Sequence, residues 1–208
     1  MPRSTAKAAP RPYHHGDLAE ALLQAAADLL AEAGPERFSL RECARRAGVS
    51  HAAPAHHFGD TRGLLTAYAA RGFEALAQRL QAAARTVADP VARLQAQGEA
   101  YVAFALEHPA RYQLMFRSGQ TDMDMPLLSD AAQAAWAELA NAVAAARGTE
   151  PARDSSDPHA ALAWAAVHGL ALLLIDGRMA PARARPDAWR RMTRDTLAAL
   201  APAWRPPV

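Results

Sequence analysis

Residues 38–65, which read FSLRECARRAGVSHAAPAHHFGDTRGLL, carry the signals for two short helices separated by a tight turn. Ser39 and Glu42 are three residues apart, as in a capping box, in which a hydroxyl and a carboxylate each accept a hydrogen bond from a free backbone amide. Gly48 supplies the left-handed backbone conformation that commonly ends a helix. Ser50 is placed to cap a second helix that begins at the next residue. Two short helices joined by three residues that include glycine form a helix-turn-helix.

The first of these helices has a single apolar side. Leu40, Cys43, Ala44 and Ala47 recur at helical spacing, whereas the charged residues between them lie on the remaining surface. Val49 is expected to pack beneath the turn. Cys43 is the only cysteine of the chain, which excludes an intrachain disulfide. We therefore expect its thiol to act as a small buried hydrophobic group.

The second predicted helix carries small or hydrogen-bonding side chains almost throughout, and Phe58 is its only large apolar residue. Small side chains let a helix enter the major groove of DNA, where polar and methyl groups meet base edges. A solvent-facing helix of an ordinary helical bundle is the alternative. Pro54 would be the fourth residue of this helix, and its missing amide predicts a short helix with a distorted first turn.

The residues expected to contact DNA lie on or beside these two helices. They are Ser39, Arg41, Ser50, His51, Ala52, Ala53, Pro54, His56, His57 and Arg62. Within this set, Ser39 at a helix N-terminus and His57 are predicted to meet phosphates. The residues predicted to reach the groove are His51, Ala52, Ala53 and His56. Ser50 and Pro54 are expected to shape the entry of the helix.

This stretch resembles the DNA-binding domain of the tetracycline-repressor (TetR) family. That family reads A-x-x-A-G-V-S in its helix-turn-helix and ends its recognition helix in H-F, and residues 43–50, CARRAGVS, and 57–58 are similar. Two positions depart from the pattern. Ala55 stands where an aromatic residue is usual, and Thr61 followed by Arg62 stands where a lysine usually opens the next helix. These departures affect two phosphate contacts but leave the expected fold unchanged.

Helix is expected along nearly the whole chain of 208 residues. The sequence is alanine-rich, and no segment alternates apolar and polar residues as a strand would. Proline marks the first turn of successive helices. The predicted fold is all-α, with about nine helices. Those after the helix-turn-helix are expected near 61–85, 90–107, 109–118, 126–147, 158–176 and 186–200.

Three regions are predicted along the chain. Residues 1–12 are expected to form a flexible basic arm, residues 13–60 the helix-turn-helix DNA-binding domain, and residues 61–208 a helical domain for ligand binding and dimerisation. A basic arm can reach a groove or phosphates, and a solvated tail is the equal alternative. The net charge of +2 is too small to indicate a nucleic-acid partner by itself. No hydrophobic signal sequence opens the chain, so the cytoplasm is expected.

Residues 159–175, HAALAWAAVHGLALLLI, form a nearly apolar run. The run is at the short limit for a membrane span and contains His159 and His168. A helix that is apolar on all sides is more often buried between other helices. TetR-family proteins are typically dimers built from their last two helices. The resemblance therefore implies a homodimer through the last two predicted helices and no membrane partner.

A second resemblance is to the TetR branch named for a Trp-His-Gly signature. It rests on the strings YHHGDL, VSHAAP and HPARYQLMF and on Trp164-x-x-x-His168-Gly169, and it covers almost the whole chain. Gly169 is expected at a close contact between helices. His168 is expected to be a buried hydrogen-bonding side chain, with ligand contact as the alternative.

A regulator of this design needs a cavity for its ligand. Apolar and aromatic walls with a few polar groups suit a small organic molecule, and methionine adapts to varied shapes. The predicted pocket residues are Tyr101, Phe104, His108, Tyr112, Met115, Phe116, Trp136, Trp164 and His168. For each of them taken singly, a place in the ordinary core is the alternative.

Other classes of function have little support in the sequence. The motifs of hydrolases, metalloproteases, phosphate loops and dinucleotide sites are absent, so neither an enzyme nor a cofactor is expected. His14-His15 and His56-His57 are of a metal-ligand type. Adjacent residues on a helix diverge by about 100°, so His56 and His57 do not readily share one ion, and no metal site is predicted.

Together these features predict a homodimeric, ligand-responsive repressor that binds double-stranded DNA at a palindromic operator. A small organic effector, which the sequence does not identify, is expected to release it. Two alternatives stay open. One is a ligand-promoted activator, and the other is a helical small-molecule-binding protein or enzyme that has lost DNA reading.

Overall fold

The computed structural model describes residues 15–116, 119–151, 156–179 and 185–204. Over these residues the chain is all-α, as predicted, with nine α-helices and no strand. The helices are α1 (His15–Ala33), α2 (Leu40–Arg46), α3 (Ala53–Phe58), α4 (Thr61–Ala84), α5 (Pro90–Glu107), α6 (Pro109–Met115), α7 (Pro126–Arg147), α8 (Pro158–Ile175) and α9 (Pro186–Ala199). Two short 3-10 helices span Pro35–Arg37 and Ala201–Trp204. The predicted arm at residues 1–12 lies outside the described residues.

Proline stands in the first turn of each helix from α5 to α9, as predicted. In that turn the missing amide costs nothing, because the first backbone amides of a helix have no partner within it. Asp89 caps α5 by accepting a hydrogen bond from Ala92 N at 2.8 Å. Asp157 caps α8 through His159 N at 2.9 Å. These local signals explain why the predicted bounds of the later helices agree with the structure to within about three residues.

The helices of the helix-turn-helix share a small core with α1 and α4. Leu22, Leu30, Cys43 and Leu64 are almost fully buried in it. The Cys43 thiol donates a hydrogen bond to the Leu22 carbonyl oxygen at 3.3 Å. Burial raises the pKa of this thiol to about 11, so it stays protonated at neutral pH. Cys43 therefore acts as a packing residue, as the sequence predicts.

Helix α4 belongs to both halves of the molecule. It packs on α1 and α3 in the N-terminal half and on α5, α6 and α7 in the C-terminal half. Gly72 lets α6 approach closely, because a Cβ at this position would lie 2.6 Å from Met115 Sδ. The close packing makes α4 the structural link between the helix-turn-helix and the C-terminal helices.

Helix α8 is long and apolar enough to cross a membrane by length and composition, and 33% of it is buried within the chain. This is weak evidence for a span, because core helices of soluble proteins share that composition. The buried side faces α5, α7 and α9. It consists of Ala160, Ala163, Val167, Leu170, Ala171 and Leu174. The opposite side leaves Leu162 and Leu173 39% and 42% exposed.

Replacement of Gly63 by alanine is expected to destabilise the fold by at least about 2 kcal/mol. A Cβ at Gly63 would lie 1.9 Å from the Phe58 carbonyl oxygen, so α3 would have to move away from α4. Denaturant unfolding of Gly63→Ala measures the loss. Gly119→Ala is the control, because a Cβ there meets nothing within 4 Å. Equal losses in the two variants would contradict this explanation.

Candidate DNA-binding surface and ligand cavity

The turn between α2 and α3 is closed by backbone hydrogen bonds. Gly48 N donates to Arg45 O at 3.2 Å, and Val49 N donates to Ala44 O at 3.0 Å. Gly48 has φ of +68°, the left-handed conformation that glycine adopts without strain. Val49 packs on the core beneath the turn, as predicted. The turn thus fixes the angle between the two helices.

Half of the predicted capping box forms at the start of α2. Ser39 Oγ accepts a hydrogen bond from Glu42 N at 3.4 Å. The Glu42 carboxylate binds the Arg45 guanidinium at 2.6 and 2.8 Å and Arg46 Nε at 3.1 Å instead of returning to the cap. Hydrogen bonds from Arg45 and then Arg46 lower the pKa of Glu42 to about 2. The carboxylate half of the capping box is therefore replaced by ion pairs.

These ion pairs limit the positive charge available on α2. Arg46 also pairs with Glu32 of α1, through two hydrogen bonds of 2.6 and 2.7 Å. Exposed pairs of this kind contribute little to stability, but they orient the side chains. Arg41 is exposed, and it forms no ion pair with any described residue. Arg41 is thus the α2 arginine best placed to meet a phosphate.

Helix α3 begins two residues later than the sequence predicts. Ala52 occupies the cap position, without a side-chain hydrogen bond, so the expected cap by Ser50 is wrong. The Ser50 carbonyl instead accepts a hydrogen bond from Ala53 N at 3.0 Å, which forms a turn ahead of the helix. Pro54 becomes the second helical residue, where its missing amide leaves no helical hydrogen bond unmade. The predicted strain at Pro54 is therefore avoided.

The outer side of α3 and of the turn before it is small and polar. His51, Ala52, Ala55 and His56 are exposed. Pro54 is buried against the domain, so it shapes the helix from within. Ala55, which was not among the predicted residues, lies on the same exposed side. This side offers a surface without bulk that a DNA groove can accommodate.

The remaining predicted residues of α3 are partly covered. Ala53 and His57 are half-buried. The His57 ring lies edge-on to His56, with ring centroids 5.6 Å apart, and 6.2 Å from the ring of Phe58. These contacts hold the imidazole of His57 at the rim of the surface.

Arg62, at the start of α4, is directed toward the C-terminal half. Its Nη2 donates a hydrogen bond to the Thr121 carbonyl at 3.1 Å. Close by, Thr66 Oγ1 accepts a hydrogen bond from Asp122 N at 2.8 Å and donates to the Arg62 carbonyl at 2.7 Å. Thr66 and Thr121 are fully buried. We call residues 119–125, which precede α7, the connecting loop; it is bonded to the first turns of α4.

A cavity of about 530 Å³ lies among the C-terminal helices and α4. Its volume is within the range of small-molecule sites, roughly 300–1,000 Å³. Five of the nine predicted pocket residues line it. They are Tyr101, Met115, Phe116, Trp136 and Trp164. Beyond the prediction, α4 contributes Phe73, Leu76 and Leu80 to the wall.

Four predicted pocket residues lie outside the cavity wall. Phe104 and Tyr112 are buried in the core behind it. His108 is exposed at the junction of α5 and α6, so it too is absent from the wall. His168 stands behind Tyr101 and Tyr112. For Phe104 and Tyr112, helical spacing identified a buried side correctly, but that side meets neighbouring side chains rather than the cavity.

Two polar groups of the wall lack hydrogen-bond partners among the described residues. They are Gln97 Oε1 and Trp136 Nε1. Gln97 was not among the predicted pocket residues, although a signal was present. Gln97 interrupts an apolar stripe that runs from Leu94 to Tyr101 at spacings of three and four residues. A polar residue on the buried side of a helix is unusual unless it has a partner.

Tyr101, Tyr112, Trp164 and His168 form a hydrogen-bonded group that we call the aromatic cluster. The hydroxyls of Tyr101 and Tyr112 lie 2.9 and 2.7 Å from His168 Nδ1. Tyr112 donates to the Tyr101 hydroxyl at 3.1 Å, and Trp164 Nε1 donates to the same oxygen at 3.2 Å. Burial raises the pKa of Tyr101 to about 12 and also raises that of Tyr112. The cluster is therefore uncharged at neutral pH.

The Trp-His-Gly signature divides between two environments. Trp164 and His168 take part in the aromatic cluster, and burial lowers the pKa of His168. A Cβ at Gly169 would meet nothing within 4 Å. The close helix contact predicted at Gly169 is therefore not found within one chain.

Metal ligation finds no support in the part of the chain that the structure covers. No group of three or more His, Cys, Asp or Glu side chains is arranged there to hold an ion. His14 of the predicted His14-His15 pair lies outside the described residues.

Residues 22–68 match the bacterial regulatory proteins of the tetR family, and residues 94–196 match the tetracyclin repressor-like C-terminal domain. The chain belongs to the TetR family. It is thus a transcriptional regulator with a DNA-binding helix-turn-helix, as predicted, and TetR regulators are not in general enzymes. The matches do not distinguish the Trp-His-Gly branch, which stays a prediction.

Solved structures with the same TetR fold span nearly the whole chain. A protein of unknown function from Rhodococcus sp. RHA1 is 32% identical, with 94% of this chain and 97% of that one covered and a TM-score of 0.72. A TetR-like transcriptional regulator from Rhodococcus sp. RHA1 is 19% identical, with coverage of 92% and 98% and a TM-score of 0.63. A TetR-family transcriptional regulator from Streptomyces coelicolor is 23% identical, with coverage of 88% and 98% and a TM-score of 0.59. No curated protein matches the sequence.

The burial of His168 predicts that this TetR protein loses stability in mild acid. Because the pKa of His168 is lowered in the folded state, the unfolded chain binds its proton more readily, and stability falls as the pH drops below about 6.5. His168→Gln cannot titrate, so its free energy of unfolding should fall less between about pH 7.5 and pH 5. Unfolding in denaturant across this range tests the difference. Identical slopes for the two proteins would contradict it.

Proposed function

We propose that this TetR protein is a ligand-responsive repressor that binds a palindromic operator as a homodimer and leaves it when a small organic effector occupies the cavity. The position of α4 carries the proposal. This helix starts at Thr61, directly after the short connection that follows α3, and it supplies Phe73, Leu76 and Leu80 to the cavity wall. A ligand against the second half of α4 is therefore mechanically connected to the reading helix.

We assign a separate function to each region of the chain. Residues 13–60 read DNA, residues 61–208 bind ligand and dimerise, and the basic arm at residues 1–12 adds phosphate or groove contacts. The hydrogen bonds of the connecting loop to Arg62 and Thr66 lie within the second region, at the turns of α4 that directly follow the DNA-reading region.

The proposed DNA contacts divide by position on the helix-turn-helix. The exposed His51, Ala52 and His56 and the half-buried Ala53 are proposed to face the groove, where methyl and imidazole groups can meet base edges. Ser39, Arg41 and His57 lie at the periphery, where phosphates run. Arg62 bonds to Thr121 through one guanidinium nitrogen and keeps its others for a phosphate. Ser50 and Pro54 set the start of α3 and are positioning residues.

The connecting loop offers a route from ligand to DNA. Met123 of this loop lines the cavity, while its neighbours Thr121 and Asp122 bond to Arg62 and Thr66 of α4. A ligand that displaces Met123 pulls on both bonds. The start of α4 then shifts, and α3 shifts with it, because packed helices move as rigid bodies.

The proposed dimer uses the exposed side of α8 together with α9. Leu162 and Leu173 are large exposed apolar residues on α8, and Gly169 lies between them with open space above it. A helix from a second copy can approach closely over such a glycine and cover the leucines. Two reading helices related by a two-fold axis require an operator with inverted half-sites about 34 Å apart. A cytoplasmic location is part of the same proposal, because a regulator must have access to DNA.

The decisive experiment is selection of random duplex DNA by the purified protein without added ligand, read by sequencing. We expect an enriched inverted repeat with half-sites separated by about one helical turn. A repressor of this kind binds DNA in its free form. Failure of a folded dimer to enrich any sequence would contradict the repressor proposal and favour a ligand-promoted activator or a chain that has lost DNA reading.

Two variants separate the roles of the surface residues in the same assay. His57→Ala is expected to weaken binding about fivefold on all sequences, because a phosphate contact carries no sequence information. Ala52→Ser is expected to change the enriched bases, because it adds a hydrogen-bonding group in the groove. The reverse pattern would show that the two roles are assigned wrongly.

Replacement of Gly169 by glutamate is expected to weaken the dimer at least about a hundredfold, since it places a charge in an apolar contact. The fold should persist, because the new side chain enters open space within one chain. Sedimentation equilibrium gives the dissociation constants. Ala134→Glu, at an exposed position of α7, is the matched control. A dimer unaffected by Gly169→Glu would locate the interface elsewhere.

A further inference from the structure

The wall of the cavity is uncharged. None of its described lining residues is an Asp, Glu, Lys, Arg or His. An ion that enters such a site loses its hydration without gaining a partner of opposite charge. Aromatic and aliphatic groups, such as Phe73 and Phe116, form most of the surface. The site therefore favours a neutral and mainly apolar molecule.

Gln97 places one oriented acceptor in this wall. The residue is only 5% exposed, and its Nε2 donates to the Leu80 carbonyl at 3.3 Å. The contact fixes the orientation of the amide, because a carbonyl accepts from the nitrogen and would repel the oxygen. Gln97 Oε1 is buried and has no hydrogen-bond partner among the described residues. Because Gln97 lines the cavity, a ligand in the cavity can supply the missing donor.

Trp136 places one donor in the same wall. Its ring packs edge-on against Trp164, with ring centroids 5.9 Å apart. Its Nε1 is buried and has no hydrogen-bond partner in the described part of the chain. Indole nitrogen can only donate, so it requires an acceptor.

The other buried polar groups of this wall are already engaged. The Tyr101 hydroxyl accepts from Trp164 Nε1 and from Tyr112, and it lies against His168 Nδ1. The aromatic cluster thus forms a closed hydrogen-bonded backing. Ser129 and Gln133 also line the cavity, but Ser129 is half-buried and Gln133 is exposed. Gln97 and Trp136 are therefore the wall residues whose buried polar atoms lack a partner among the described residues.

We infer that the cavity selects an uncharged, mainly apolar molecule that donates a hydrogen bond to Gln97 Oε1 and accepts one from Trp136 Nε1, as a hydroxyl-bearing aromatic compound does. This inference rests on the proposed role of the cavity as the effector site and adds the chemical class of the effector. Carboxylates and ammonium compounds of the same size are excluded by the uncharged wall.

Calorimetric titration of the full chain with four naphthalenes tests the inference. The probes are 2-naphthol, 2-methoxynaphthalene, 2-naphthoate and 2-naphthylmethylammonium at neutral pH. We expect 2-naphthol to bind about tenfold more tightly than the methyl ether, which cannot donate to Gln97, and to outbind both ions by more than about tenfold. Equal binding of an ion and the naphthol, or no binding of any probe, would overturn the inference.

Variants of Gln97 and Trp136 test which side chain produces the preference for 2-naphthol over its methyl ether. Gln97→Leu is expected to reduce the preference for naphthol over its ether to less than about threefold, because the acceptor is gone. Gln95→Leu makes the same substitution on α5 at a residue that does not line the cavity, and it should keep the full preference. Trp136→Phe should weaken naphthol and ether alike, by about fivefold, because both offer an oxygen acceptor. A preference that survives Gln97→Leu would overturn the assignment.

DNA binding is measured separately, by fluorescence anisotropy on the selected duplex. Naphthol binding with the expected preference but no change in DNA affinity would support the chemistry of the cavity and contradict its role as an effector site. Release of DNA by 2-naphthoate but not by 2-naphthol would support the role of the cavity as an effector site and contradict the inferred chemistry of the effector. The two proposals can therefore fail independently.

Discussion

The packing of α4 is the constraint on which the rest of the molecule depends. With 24 residues it is about 36 Å long, and its buried residues extend from Leu64 to Leu80. Its first turns complete the core of the helix-turn-helix, and its later turns form one wall of the cavity. Glycine permits close packing at both stages, against Phe58 at Gly63 and against Met115 at Gly72. One helix therefore connects the helix-turn-helix with the cavity.

The fold could be predicted because its signals are local. Proline in a first turn, aspartate caps and the left-handed Gly48 mark helix ends without reference to tertiary contacts. The start of α3 could not be fixed in this way. A helix from His51 with Pro54 fourth and a helix from Ala53 with Pro54 second fit the same letters. The turn closed by the Ser50 carbonyl decides between them.

The cavity could be predicted only in part. Helical spacing shows which side of a helix is buried, but not whether that side meets another side chain or a cavity. Tyr101 and Tyr112 illustrate the difference, since both are buried on neighbouring helices and only Tyr101 reaches the wall. The contribution of α4 and the role of Gln97 depend on how six helices converge, which spacing along one helix does not encode.

The reactivity of the buried Cys43 thiol reports on local opening of the helix-turn-helix. With its pKa near 11 and no exposure to solvent, the thiol does not react with alkylating or oxidising reagents in the closed domain. Reaction requires α2 to separate from α1, which breaks the contact with the Leu22 carbonyl. Because the chain has no other cysteine that could be labelled, the rate of labelling measures how often the helix-turn-helix opens. DNA bound to that domain would be expected to slow the labelling, because it would hold α2 against α1.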